Sequence, residues 1–148
     1  MAQASQRPTP IDPRGPRTNQ AVLCVALLGA FVYDAWLVVP IFCGVLFLGA
    51  AFGPKYGPVL RLYATVIGPR LKPPTLLEDP RPPRFAATIG VGFLALSTLA
   101  FIFDIAALGW LLALIVAGLA GLAATTGICI GCEIWLRLAQ RSQLDPSV

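Results

Sequence analysis

Long apolar runs alternate with short polar, proline-rich stretches along this chain, and the runs fall into two pairs. Residues 19–36 and 38–53 form the first pair, residues 85–105 and 108–131 the second. A helix rises about 1.5 Å per residue, so apolar runs of about 18 residues or more reach across a hydrocarbon layer of about 30 Å. The pattern predicts an all-α integral membrane protein whose four transmembrane helices form two tandem hairpins. Asp34 and Asp104 fall at the two hairpin turns, where water reaches carboxylates that would be costly at mid-bilayer. Pro40 falls in the first turn of the second helix, where a missing N–H costs least.

Between the pairs, the stretch GPVLRLYATVIGPRL gathers Val59, Leu60, Leu62, Tyr63, Val66 and Ile67 on one helical face with Arg61 opposite. Pro58 suits a first helical position, and Gly68-Pro69 ends the pattern. About ten residues are too few to span, so this segment is expected to lie on the membrane surface. The stretch KPPTLLEDPRPPR that follows holds five prolines and is expected to be a non-helical linker. The predicted organisation is thus a polar N-terminus (1–18), a first hairpin (19–53), an interfacial helix and linker (54–84), a second hairpin (85–135) and a polar tail (136–148). Residues 1–18 contain no apolar core of the signal-peptide kind, so the first span is expected to serve as the targeting signal.

Composition agrees: 57% of the 148 residues are hydrophobic and only 12% are charged, against roughly a quarter charged in soluble domains. The net charge of +4 would suggest nucleic acid, but its placement argues otherwise. All 11 Lys and Arg lie in the N-terminus, the middle and the C-terminus, and neither hairpin turn carries one. By the positive-inside rule this puts both termini in the cytoplasm of a multi-pass plasma-membrane protein. Arg14, Arg17, Arg81 and Arg84 become candidate contacts to anions or lipid headgroups, beside their simpler role as topology signals.

A repeat runs through this arrangement. DPRGPR at 12–17 recurs as DPRPPR at 79–84, and AFVYD at 30–34 recurs as AFIFD at 100–104. Each half then consists of one Asp-Pro-Arg entry and one hairpin, and two crossings per half imply a parallel repeat about the membrane normal.

The chemistry concentrates in TTGICIGCEIWLRL, residues 125–138, with Cys129 and Cys132 three apart where the last apolar run turns polar. Ala113, Ala117, Gly121, Thr125 and Cys129 recur every four residues, a small-residue seam suited to close helix contact. A working dithiol needs access, a depressed thiolate pKa and a partner. The interface supplies access, the nearby arginines lower the pKa and Glu133 opposes them. A helix break at Gly127 or Gly131 would add a helix N-terminus at the thiols. Cys24, about one turn inside the first helix, is a candidate third thiol, and Cys43 reads as packing. With no His in the chain, a catalytic triad is excluded, and one Cys-x-x-Cys offers only two of the four ligands zinc prefers, so neither a metal nor a cofactor is expected. Inert packing of both thiols is the plain alternative.

The segments IDPRGPRTNQAV, FGPKYGP, LEDPRPPRFAA and TGICIGCEIW together resemble a family of small actinobacterial membrane proteins catalogued as a domain of unknown function (DUF4395). The resemblance covers nearly the whole chain after residue 10. It implies an association with thioredoxin-like proteins and sulfurtransferases, hence thiol or sulfane-sulfur handling. The leading expectation is a membrane-embedded dithiol, Cys129 and Cys132, exchanging with a soluble cytoplasmic partner of that kind. The rivals are a carrier or channel for a small sulfur anion, a non-catalytic membrane anchor for such enzymes, and a quinone-reducing dithiol bundle similar to the vitamin K epoxide reductases, which work from the outer side. Within the pair, Cys132 is expected to attack and Cys129 to resolve, an order that a helix break at Gly127 would reverse.

Overall fold

In the computed structural model, residues 12, 14–53, 57–70 and 81–144 are described, and among them every regular element is helical. The order is α1 (Arg14–Val32), α2 (Val38–Phe52), α3 (Pro58–Leu62), α4 (Arg81–Ile102), α5 (Ala106–Thr126) and α6 (Ile130–Leu144). After α3 the chain widens into a π-turn at Tyr63–Ile67 and tightens into a 3-10 turn at Gly68–Arg70. Among the described residues two helices, α4 and α5, are long and apolar enough to cross a membrane, and α2 is a shorter apolar helix of 15 residues.

Three boundaries differ from expectation. First, α1 starts at Arg14 and α4 at Arg81, inside stretches read as polar N-terminus and linker. The prolines explain this: Pro16, Pro82 and Pro83 occupy first-turn positions, whose N–H groups have no partner within the helix, so they begin helices here. The Asp12 carboxylate accepts the Arg14 N–H at 2.9 Å and helps start α1. The rest of the linker, 71–80, lies outside the described residues.

Second, the last apolar run is not one helix to 131. It stops at Thr126 on Gly127, whose φ of 74° is left-handed and whose N–H returns to the Ala123 carbonyl at 3.0 Å. The chain restarts as α6, an amphipathic helix carrying Glu133, Arg137 and Arg141 among exposed Ile134, Leu136 and Leu138. What read as a polar tail is mostly this helix. Third, of the expected apolar face after Gly57, Tyr63 is buried while Leu62, Val66 and Ile67 are exposed; Leu60 lies outside the described side chains. The π-turn adds residues per turn and breaks the predicted register.

The two hairpin turns have the same geometry. The Ala35 N–H bonds the Ala30 carbonyl and the Asp34 N–H bonds that of Phe31; Ile105 and Asp104 repeat both bonds to Ala100 and Phe101. Each is a six-to-one and five-to-two helix stop with aspartate at the left-handed position, φ 52° at Asp34 and 61° at Asp104. Aspartate tolerates that conformation better than most other side chains with a Cβ.

The hairpins interlock: α1 packs on α5 and α4 on α2, while α1 and α2 of the first hairpin touch little. Shorter contacts place α3 on α1 and α6 on α4. Leu23, Leu27, Val39, Leu46, Leu94 and Val116, with Ala113, Ala117 and Ala120 of α5, form the core. The seam on α5 is real for Ala113 and Ala117, but its buried line continues through Ala120 and Ala123, and Thr125 is exposed. Steps of four drift off the contact line of a 3.6-residue helix, and steps of three restore it. Near the turns, Phe101 stacks edge-on against Trp110, and the Trp110 indole N–H donates to Asp34 at 3.1 Å, tying the first turn to the second hairpin.

Candidate functional site

Cys129 is the cap residue of α6: its carbonyl accepts the Glu133 N–H at 3.0 Å, the first bond of that helix. Its sulfur therefore lies at the helix N-terminus, where free N–H groups and the helix dipole favour negative charge. The Cys129 pKa is lowered to about 6, above all by the Cys132 thiol donating to its sulfur. Burial opposes the shift, and the N–H groups of Cys132 and Gly131 and the Gln20 side chain assist it. Both thiols are half-buried, and neither is in a disulfide.

Two glycines allow this. Gly127 turns the chain left-handed between the helices. Gly131 lets α6 approach α4 so closely that an added Cβ would lie 2.7 Å from the Ala86 Cβ. The site is thus built by α6, by Gln20 of α1 and by the α4 surface beneath Gly131.

The arginines serve helix ends. The Arg84 guanidinium donates to the Ala50 carbonyl at 2.9 and 3.2 Å and to that of Ala51 at 3.1 Å, capping the C-terminus of α2. The Arg17 guanidinium lies over Gly127 at the end of α5, where an added Cβ would meet its Nη2 at 2.5 Å. Each half's entry arginine thus reaches the end of the other half's second helix, cation against the negative pole. Arg14 and Arg81 are exposed at the starts of α1 and α4. Cys24 packs against Gly121, whose added Cβ would lie 2.9 Å from its sulfur. The Cys43 thiol donates to the Val91 carbonyl at 3.7 Å. Among the described residues no group of three His, Cys, Asp or Glu comes together that could hold a metal.

A cavity of about 160 Å³ lies between α1, α2, α4 and α5 and ends at Cys129. Leu23, Leu46, Phe93, Val116 and Leu119 form its apolar walls, with Asn19, Gln20 and Arg84 as polar lining. Cys129 contributes to the lining, whereas Cys132 stands outside it. Sequence reasoning identified neither the cavity nor Gln20, since nothing local links a glutamine of the first helix to a thiol near the other end of the chain.

No curated protein and no solved structure matches this chain. The family profile described as Domain of unknown function (DUF4395) matches residues 11–140, nearly the whole length, with the Asp-Pro-Arg entries and both thiols inside the match, and the chain belongs to that family.

Proposed function

We propose that the protein is a four-span membrane dithiol, with Cys129 and Cys132 facing the cytoplasm and exchanging disulfide or sulfane sulfur with a soluble thioredoxin-like or sulfurtransferase partner. The observation that carries this reading is the position of Cys129 at the N-terminus of α6, its sulfur bonded by Cys132, backbone N–H groups and Gln20. An inert packing cysteine needs none of these.

The membrane placement rests on what α4 and α5 present outward. Only 17% and 33% of their most apolar windows are buried, too little for core helices of a soluble protein. Leu96, Leu99, Leu111, Ile115 and Leu122 face outward. Packed beside these, α1 and α2 are read as the other two spans. Positive charge collects at the end where α1 and α4 begin and α2 and α5 finish, so that end, with the thiols, is assigned to the cytoplasm. The matched Asp turns and the exchanged arginine caps are read as a parallel tandem repeat. That repeat extends beyond the hairpins: Gly53 and Gly127 both end helices at positive φ, Gly57 and Gly131 follow four residues later, and Leu-Arg-Leu recurs at 60–62 and 136–138.

With a disulfide partner, the Cys129 thiolate attacks one sulfur, forming a mixed disulfide and releasing the other as thiolate. Cys132 then passes its proton to that thiolate and attacks Cys129, closing the intramolecular disulfide and freeing the partner. With a persulfide partner, Cys129 takes the outer sulfur as Cys129–S–SH and releases the partner thiolate, and attack by Cys132 on Cys129 closes the same disulfide and releases the sulfur as sulfide. Two electrons leave the dithiol, and the reverse sequence returns them. The helix break makes Cys129 the attacking group, the reverse of the order expected for an unbroken helix. The anion-carrier reading loses support because Arg84 is engaged by carbonyls instead of being presented to a pathway.

The test is adduct trapping in a background lacking Cys24 and Cys43. Cys132→Ser removes the resolving thiol and is expected to strand a reductant-sensitive adduct on Cys129, more than Cys129→Ser strands on Cys132. Correct insertion with no adduct or persulfide in either variant refutes the exchange reading.

A further inference from the structure

The cavity behind Cys129 has no role in exchange with a soluble protein, which reaches the thiols from outside. Its form is specific. Apolar walls from four helices line a partly open space of about 160 Å³, with Cys129 and Gln20 both at it. Cavities of about 150 Å³ in helical proteins take a benzene ring, so this one has room for a single ring. The room exists because small residues line it: Gly49 has no atom within 4 Å of an added Cβ, and Ala87 and Ala120 add to the space.

The paired thiols decide which ring. A thioester-forming ligand would engage Cys129 and leave Cys132 without a part. A transferred sulfur atom needs no ring-sized chamber. A two-electron acceptor uses both thiols, the apolar chamber and the polar end, where a side-chain N–H of Gln20 can meet an oxygen that gains negative charge.

We infer that the cavity binds the ring of a membrane-soluble quinone, which the Cys129–Cys132 dithiol reduces to the hydroquinone. This rests on the dithiol reading and names its second partner. The Cys132 sulfur closes on Cys129 as an electron pair passes from Cys129 into the ring. The two thiols lose two protons and two electrons and gain one S–S bond, and the quinone takes up both protons and both electrons. A soluble dithiol partner then reduces the disulfide from the cytoplasmic side, so electrons pass from soluble thiols into the membrane.

The experiment uses the full chain in lipid nanodiscs, reduced, freed of reductant and mixed with tetramethyl-1,4-benzoquinone, whose substituted ring blocks ordinary thiol addition at ring C–H positions. The expected result is stoichiometric hydroquinone with a Cys129–Cys132 disulfide found by mass spectrometry. Gly49→Leu fills the chamber and should slow quinone reduction by about tenfold or more, while oxidation of the pair by glutathione disulfide proceeds at the wild-type rate. Val116→Phe narrows the same chamber from α5 and should act alike. If glutathione disulfide oxidises the wild-type pair and the quinone does not, the cavity inference fails and the dithiol reading stands. Quinone reduction unslowed in both filled variants also overturns it, since the reaction would then be a surface one. A pair that neither reagent oxidises refutes the dithiol reading, and this inference with it.

Discussion

Cys132→Ala tests the origin of the depressed Cys129 pKa. The largest contribution to the value of about 6 is the hydrogen bond from the Cys132 thiol; the two backbone N–H groups and Gln20 remain when it is removed. A hydrogen bond to a charged acceptor is worth about 1.5–3 kcal/mol, and solvent screening at this half-exposed sulfur favours the low end. At about 1.36 kcal/mol per pH unit, the midpoint should rise by about one unit. Alkylation by iodoacetamide follows the thiolate fraction, so its rate between about pH 4 and 9, without Cys24 and Cys43, reports the midpoint directly. At pH 7 the variant should react at roughly half the wild-type rate. The folded pKa lies below that of a free thiol, about 8.5. The charged Cys129 therefore contributes stability that is complete above that value and is lost as pH falls through about 6. Equal midpoints in the two proteins, or a wild-type midpoint near 8.5, would refute the reasoning.

Gly131→Val forces a Cβ against Ala86 and should push α6 off α4, costing about 1–3 kcal/mol and raising the Cys129 midpoint; thermal unfolding and the same alkylation profile check both effects. Arg84→Met removes the cap of α2 and is expected to cost about 1 kcal/mol while leaving thiol reactivity intact; a loss of reactivity without a change in stability would return Arg84 to the site. In a cysteine-free background, Tyr33→Cys and Phe103→Cys, both highly exposed at the turns, should react with an impermeant maleimide outside intact cells, and Arg141→Cys should not. Labelling at position 141 from outside would invert the assigned topology.

Local sequence was enough for much of the fold. The apolar runs marked α2, α4 and α5, because hydrophobic periodicity acts over one helix at a time. The Asp turns were also legible, with the same residues repeated at the same places. Proline misled because its effect depends on position: Pro82 and Pro83, read as forbidding helix, start α4 instead. The thiol pair was visible as a spacing, and the break at Gly127 as one alternative, but a glycine inside an apolar run does not declare its φ. What makes Cys129 an acid of pKa about 6 is first the Cys132 thiol, then the N–H groups that the break frees, and last Gln20, whose contact exists only once α1 packs on α5. The arginine caps and the cavity are of the same kind. Arg84 finds the end of α2, and Leu23, Phe93 and Val116 meet around one chamber, only because each hairpin packs on the other, a pairing between distant segments that no local pattern records.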